Sequence, residues 1–244
     1  MQPYFLPYIG AFQMINAVEK YVVYGAVNYQ NDGWFHRNRM ILKNQGQIFF
    51  YVSMIRASIH KTYNEIYVDP SKIWRDKILK TYVFNYSKTQ YFSETKELLE
   101  TILYCDYENI VDFNYNSLQV ICDYLGIGEK LHRIPEHEAA VEAYIRQNEE
   151  ERCESELVEI KTLRIVRICQ LLKANTYYNP IGGIDIYKKE VFENFGLHLR
   201  FLKTLDIVYR QDSVGFIPNL SIIDVLSNCG RDGTLNHLNA YALI

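Results

Sequence analysis

The chain contains 244 residues, with a formal net charge of −3 and a hydrophobic fraction of 48%. A chain of this length buries roughly 70–75% of its unfolded surface, so a core needs neither a metal nor a disulfide, and disorder is disfavoured. The 26 basic residues are scattered among 29 acidic ones, which leaves no basic face for a nucleic acid.

Tyr4–Leu6 is a short apolar run that opens the chain and predicts a strand. Apolar residues then recur with a helical period from Phe12 onward, which predicts a helix. Tyr21–Tyr24 is β-branched and aromatic and predicts a second strand. The N-terminal part therefore reads as strand, helix, strand.

A β-hairpin and a long helical stretch follow. Asn44-Gln45-Gly46 separates Met40–Lys43 from Gln47–Ser53, which predicts a hairpin with a three-residue loop. From Pro70 to about Lys173 the apolar residues recur with a helical period, which predicts helices. The charged residues 136–159 within it predict an exposed helix or a mobile loop.

The last third alternates between helical and extended patterns. Leu163–Leu172 is helical, whereas Thr176–Tyr178 and Leu197–Leu202 are strand-like. This succession favours βαβ units. We therefore predict an α/β fold with a mixed, largely parallel sheet flanked by helices and a helical block in the middle of the chain.

Motifs for metals, cofactors and membranes are missing from the sequence. The five cysteines form no CxxC pair, and no HxxEH, HxH or DxD cluster or Rossmann or Walker pattern occurs, so we expect no metal and no cofactor. No apolar stretch approaches the roughly 20 residues of a membrane span, and no signal peptide is recognisable. We expect a cytoplasmic protein without membrane insertion.

The first candidate site is the opening segment, where Pro3, Pro7 and Gly10 fix a turn between the predicted strand and helix. Ligands of open α/β sheets bind at the carboxyl ends of strands, and a following helix N-terminus favours anions. Gln2 would hydrogen-bond a polar ligand there. A purely structural connector explains the same residues equally well.

The second candidate precedes the predicted hairpin. In a strand, Arg37 and Arg39 project from one face. Two guanidiniums on one face suit a diphosphate, because each binds oxygens bidentately and neither loses its charge. Trp34 would stack on a sugar or base. His36 and Asn38 project from the other face, His36 being a candidate general base; a solvated strand face is the alternative.

Gly182 and Gly183 form the third candidate, a turn leading from a strand toward a helix. Such a turn exposes backbone N–H groups to an anion. An ordinary tight turn explains the pair nearly as well.

Ser221 and Asp224 form the fourth candidate and resemble a capping box at a helix start. No GxSxG elbow surrounds Ser221, which disfavours a nucleophilic serine. Asp224 is the other candidate, beside His36, for removing a proton.

Four segments together resemble the WbqC-like protein family, in the family's order across nearly the whole chain. The segments are Gln2–Gly10, Gly33–Arg39, Asn179–Gly183 and Ile217–Asp224. The resemblance implies one WbqC-like domain over residues 1–244, with a helical insertion at approximately 70–160. It also implies a role in the synthesis of bacterial surface polysaccharides such as the O-antigen of lipopolysaccharide. The site residues that it implies are Gln2, Trp34, Arg37, Asn38, Arg39, Gly182, Gly183, Ser221 and Asp224.

The chain departs from the family's pattern at three places. Met1 directly precedes Gln2, where members usually begin with a short apolar strand. Gly25-Ala26 stands where relatives tend to carry an acidic pair, and Asn31-Asp32 where they tend to carry a basic residue before Gly-Trp. These losses favour a diverged paralogue.

The leading hypothesis, which rests on the family resemblance more than on the residues, is a transferase that moves an acyl or aminoacyl group to the amine of a nucleotide-linked amino sugar. Arg37 and Arg39 hold the diphosphate, Trp34 stacks on the sugar or base, and His36 or Asp224 assists proton removal. The alternative is a non-catalytic accessory protein that binds a sugar nucleotide in the same pathway. A nucleotidyltransferase ranks last, because the N-terminal turn lacks paired histidines.

Overall fold

The computed structural model describes residues 1–150, 160–211 and 215–244. These residues divide into two compact units. The first comprises Met1–Arg133 and Asp206–Ala240, and the second Ile134–Leu205 and Tyr241–Ile244. The predicted α/β class is confirmed, whereas the single domain with a helical insertion stays a prediction.

Short strands precede a run of three helices in the first half of the described residues, and helices and strands are mixed in the rest. The helices are α1 (Ile9–Ala17), α2 (Lys72–Tyr86), α3 (Phe92–Leu103), α4 (Ile110–Leu125), α5 (Pro135–Glu150), α6 (Ile160–Leu172), α7 (Lys189–Glu193) and α8 (Ile222–His237). The strands are β1 (Tyr21–Val23), β2 (Arg37–Leu42), β3 (Gly46–Tyr51), β4 (Met54–Ile55), β5 (Tyr67–Val68), β6 (Leu131–Arg133), β7 (Thr176–Pro180), β8 (His198–Thr204) and β9 (Tyr241–Leu243). No helix in this part of the chain is both long and apolar enough to span a bilayer.

The strands of the first unit form three small sheets rather than one. β1 pairs in parallel with β6, whereas β2 pairs with β3 and β4 with β5 in antiparallel fashion. The sequence predicted this hairpin with Asn44-Gln45-Gly46 as its loop; in the structure residues 43–45 join the strands and Gly46 begins β3. Its register places Arg37 opposite Tyr51 and Arg39 opposite Phe49, which fixes the residues that share its outer face.

In the first unit, helices α2, α3, α4 and α8 pack against one another. The start of α4 is fixed by Asn109, whose side chain accepts a hydrogen bond from Val111 N, and its end by Gly126 in the left-handed region at φ 77°. α8 begins after Ser221 and is kinked at Gly230. The ring of Tyr91 lies against that glycine, so the kink makes room for an aromatic side chain.

The second unit contains a mixed three-stranded sheet, in which β8 pairs in parallel with β7 and in antiparallel fashion with β9. Its core includes Phe192 and Phe201, both nearly inaccessible to solvent. α5 and α6 are joined by Arg164, which donates to both carboxylate oxygens of Glu142 at 2.8 and 3.1 Å. Residues 136–159 were predicted to form an exposed helix or a mobile loop; up to Glu150 they belong to helix α5, and residues 151–159 lie outside the described part.

The strand predicted at Tyr4–Leu6 is wrong. The carbonyls of Phe5 and Leu6 accept hydrogen bonds from the side chains of Asn38 and Ser221 instead of from the backbone of a neighbouring strand. Leu6 adopts a φ of 42°, outside the extended region. Phe5 and Leu6 are both at 0% exposure, but they belong to an irregular turn rather than to a strand.

Candidate functional site

The outer face of the hairpin carries two arginines and three aromatic rings, which we call the arginine–aromatic face. It consists of Trp34, Arg37, Arg39, Phe49 and Tyr51. The three rings remain 40–47% exposed, which is high for aromatic side chains of a folded protein. Strand alternation accounts for the four strand residues, because cross-strand partners lie on the same face of an antiparallel pair. Trp34 precedes β2 and joins the face by stacking on Phe49.

The rings and the guanidiniums contact one another. The ring centroids of Trp34 and Phe49 are 6.0 Å apart, and those of Phe49 and Tyr51 are 6.1 Å apart. The Arg37 Cζ lies 5.6 Å from the Trp34 centroid and 5.4 Å from that of Phe49, and the Arg39 Cζ lies 5.3 Å from Trp34. These cation–π contacts restrict both guanidiniums without neutralising them.

Both guanidiniums are held by neutral acceptors. Arg37 Nη2 donates to the backbone carbonyl of Asp32 at 2.6 Å. Arg39 Nη1 donates to Gln47 Oε1 at 3.1 Å, and its Nη2 donates to the Asn219 carbonyl at 3.0 Å. In the part of the chain that the structure describes, neither arginine forms an ion pair with a carboxylate. Two positive charges without a carboxylate partner among the described residues therefore lie close to the same Trp34 ring.

His36 immediately precedes β2 and is 7% exposed. Its ring packs 5.8 Å from that of Tyr29 and 6.3 Å from that of Tyr51. No described group hydrogen-bonds its buried Nδ1. Burial and then the neighbouring Arg37 charge lower the pKa of His36, while Asp32 opposes the shift. At neutral pH the imidazole is thus uncharged and able to accept a proton.

We expect the imidazole of His36 to titrate below its ordinary pKa of 6.5. Substituting Arg37→Gln should move the midpoint upward, because it removes one of the two causes of the lowering. The measurement is an NMR pH titration of the histidine ring resonances. A midpoint at or above 6.5 in the native chain would contradict the burial of this ring.

Asn38 connects β2 to the N-terminal turn. Its Nδ2 donates to the carbonyls of Phe5 and Leu6 at 3.1 and 2.8 Å, and its Oδ1 accepts from Arg39 N at 2.8 Å. At 4% exposure it is shielded from solvent. Asn38 therefore holds the turn that carries Gln2, which is itself half-buried.

Ser221 holds the same turn from the other side. Its Oγ donates to the Leu6 carbonyl at 2.7 Å, and its backbone N donates to the Arg39 carbonyl at 2.9 Å. Ser221 occupies the N-cap position of α8, but its side chain makes no capping hydrogen bond. The predicted capping box is therefore wrong, because the hydroxyl bonds to a distant carbonyl instead.

Asp224 is buried at 0% exposure. Tyr86 OH donates to Oδ1 at 2.7 Å, while Tyr209 OH and Gln211 Nε2 donate to Oδ2 at 2.7 and 2.9 Å. Burial raises the pKa of Asp224, and the three hydrogen bonds partly offset that rise. This carboxyl group is engaged by internal donors rather than presented to a ligand.

Gly182 and Gly183 belong to the second unit, in the 3-10 turn Ile181–Gly183 that follows β7. A side chain at Gly182 would enter open space, whereas one at Gly183 would collide with the side chain of Asn179. Close packing thus explains Gly183. Their predicted contact with an anion stays a prediction.

The structure brings Trp34, Arg37 and Arg39 together on one face, with Asn38 and Ser221 behind it. Phe49 and Tyr51 on the same face were not predicted from the sequence, although the predicted hairpin and its three-residue loop contained the signal. Asn114 was not predicted either; its Nδ2 donates to the carbonyls of Pro3 and Phe35 at 2.8 and 2.7 Å. No local pattern points to that residue.

The fold and the candidate site together describe an α/β protein with the guanidiniums of Arg37 and Arg39 beside aromatic rings on one face. The chain belongs to the WbqC-like protein family, whose model matches residues 2–235. It is 26% identical over 235 residues to "Uncharacterized protein Rv1507c" of Mycobacterium tuberculosis, a match that covers 95% of this chain and 93% of that protein. No solved structure matches the chain.

Proposed function

We propose that the protein binds a nucleotide-linked amino sugar on the arginine–aromatic face and transfers an acyl or aminoacyl group to its amine. The pathway proposed is the synthesis of bacterial surface polysaccharide such as O-antigen. The observation that carries the binding step is the pair Arg37 and Arg39, which lie together without a carboxylate partner among the described residues. Membership of the WbqC-like family supports the pathway.

A diphosphate fits this pair of charges. Each guanidinium donates to phosphate oxygens in a planar, bidentate geometry and remains charged at every physiological pH. Because the present acceptors are neutral, a diphosphate gains charge-assisted hydrogen bonds without breaking an ion pair. The exposed rings of Trp34, Phe49 and Tyr51 provide apolar surface for a base or for the C–H face of a sugar.

Amide formation needs a base as well as a binding surface. The sugar amine attacks the carbonyl carbon of an activated acyl ester or thioester, and the bond from that carbon to the leaving oxygen or sulfur breaks. The proton lost by the amine passes to His36, which then returns it to the leaving group. The lowered pKa of His36 keeps its ring in the neutral, proton-accepting form.

A non-catalytic accessory protein is the second candidate function. The Ser221 hydroxyl and the Asp224 carboxyl are both fully buried and hydrogen-bonded within the fold. Of the candidate proton acceptors and nucleophiles named from the sequence, His36 alone keeps an unpartnered ring nitrogen. Binding without chemistry would follow if that nitrogen does not reach the sugar amine.

Binding is tested by calorimetric titration with UDP- and dTDP-linked amino sugars. Arg37→Gln and Arg39→Gln should each weaken binding by about 10-fold or more, because each removes a charge-assisted hydrogen bond worth about 1.5–3 kcal/mol. Arg56→Gln is the matched control, since Arg56 also lies over an aromatic ring, Tyr67, at 5.6 Å, but outside the arginine–aromatic face. Unchanged affinity in both face variants would place the ligand elsewhere.

Chemistry is tested by incubating the protein with an amino-sugar nucleotide and a panel of acyl thioesters and aminoacyl esters. Mass spectrometry of the nucleotide should show the added acyl group. His36→Asn should abolish this mass increase while leaving affinity within about twofold, because the substitution removes the base but neither guanidinium. Ligand binding without any mass increase in the native protein would instead support the accessory function.

A further inference from the structure

Arg39 is fixed at both its backbone and its side chain by the segment that precedes α8. Its carbonyl accepts from Ser221 N at 2.9 Å, and its Nη2 donates to the Asn219 carbonyl at 3.0 Å. Asn219 is exposed and adopts a φ of 57°, in the left-handed region. The direction of the Arg39 guanidinium therefore depends on what holds Asn219 in place.

Gln211 binds the backbone of this segment at Ile217, which lies two residues before Asn219. Its Nε2 donates to the Ile217 carbonyl at 3.0 Å, and its Oε1 accepts from Ile217 N at 2.8 Å. One primary amide thus satisfies both backbone groups of a single residue. Pro218 follows with a fixed φ and restricts Ile217 to extended geometry, so a displacement of Ile217 is passed on to Asn219.

Gln211 is in turn anchored on the buried Asp224, to which its Nε2 donates at 2.9 Å. The other oxygen of Asp224 accepts from Tyr86 OH at 2.7 Å, and that hydroxyl accepts from Ile41 N of β2 at 2.9 Å. Asp224 is therefore tied both to the strand that carries Arg39 and to the segment that holds its guanidinium. These contacts all lie within the first unit.

We propose that Gln211 is a positioning residue of the arginine–aromatic face: anchored on Asp224, it fixes Ile217–Asn219 so that the Asn219 carbonyl orients Arg39 toward the diphosphate. This inference rests on the proposed function. It gives Asp224 the role of an anchor in place of a proton acceptor. Holding a long arginine side chain in its binding geometry before the ligand arrives reduces the entropy lost on binding.

A double-mutant cycle tests the inference, with inorganic pyrophosphate and a UDP-linked amino sugar as probes. Gln211→Ala should weaken binding by about fivefold in the native background but by less than about twofold in an Arg39→Gln background. In an Arg37→Gln background the full effect should remain, because Arg37 is held by the Asp32 carbonyl instead. Asn228→Ala is the matched control: its amide donates to the Asp224 backbone carbonyl at 2.8 Å and should leave affinity unchanged.

Equal losses of affinity in the native and Arg39→Gln backgrounds would overturn the inference, since Gln211 would then act on the fold in general. A ligand-free measurement separates this failure from a failure of the proposed function. Gln211→Ala should lower the NMR order parameter of the Arg39 Nε–Hε group relative to the native chain, while leaving that of Arg37 unchanged. If the Arg39 signal does not change, the positioning role is wrong whether or not the native protein binds a nucleotide sugar.

Discussion

Asp224→Ala should lower the free energy of unfolding by about 3 kcal/mol or more, since a buried donor left without its acceptor costs about 1–3 kcal/mol. The substitution leaves Tyr86 OH, Tyr209 OH and the Gln211 amide without their shared acceptor. Tyr86 is 1% exposed, so water cannot replace the lost oxygen at that hydroxyl. Urea denaturation followed by circular dichroism measures the change.

Asp232→Ala is the matched control on the same helix. The Asp232 side chain is 93% exposed and lies 3.6 Å from its partner Arg231, so its loss should change stability by less than about 0.5 kcal/mol. If both variants have the same midpoint urea concentration of unfolding as the native chain, the hydrogen bonds to Asp224 do not contribute to stability.

The pH dependence of Asp224→Asn provides a separate test of the same carboxyl group. Its pKa is raised by burial in the folded protein, so the folded state binds this proton more tightly than the unfolded state does. The buried charge therefore costs stability above the folded pKa, and that cost disappears as the pH falls through it. Native stability should accordingly increase relative to Asp224→Asn as the pH is lowered; a constant difference would contradict the raised pKa.

The hairpin and the shared face of Arg37 and Arg39 were predictable from sequence, because strand alternation and the turn residues are local properties. Register then determines that Phe49 and Tyr51 join them. The uncompensated charge of the pair was not predictable, since it depends on which distant groups approach each guanidinium. Asn219, which accepts from Arg39, is 180 positions away in the chain.

The N-terminal turn shows why two local predictions, the strand at Tyr4–Leu6 and the capping role of Ser221, were wrong. A pattern of apolar residues predicts a strand at Tyr4–Leu6 only if a neighbouring strand exists to pair with it. The carbonyl of Leu6 instead accepts from Asn38 and from Ser221, which is 215 positions away. The same distant bond removes Ser221 from the capping role that its local sequence predicts.

Gly230→Ala should destabilise the protein by about 3 kcal/mol or more, since it combines backbone strain with a steric clash. Gly230 has φ 65° and ψ −169°, a region open essentially to glycine alone. A Cβ atom there would lie 2.5 Å from the ring of Tyr91. Tyr91 cannot simply withdraw, because its backbone N donates to the Ser227 carbonyl of α8 at 3.2 Å.

Two further variants separate strain from clash in the Gly230→Ala experiment. Gly46→Ala also places alanine at a positive φ, 95°, but with no atom within 4 Å of the new Cβ, so it should cost only about 1–2 kcal/mol. In a Tyr91→Leu background, Gly230→Ala should lower the free energy of unfolding by less, because only the backbone strain remains once the Tyr91 ring is removed. Thermal unfolding should show a fall in Tm on the order of 10 °C for Gly230→Ala, and a fall no larger than that of Gly46→Ala would show that the ring of Tyr91 yields without cost.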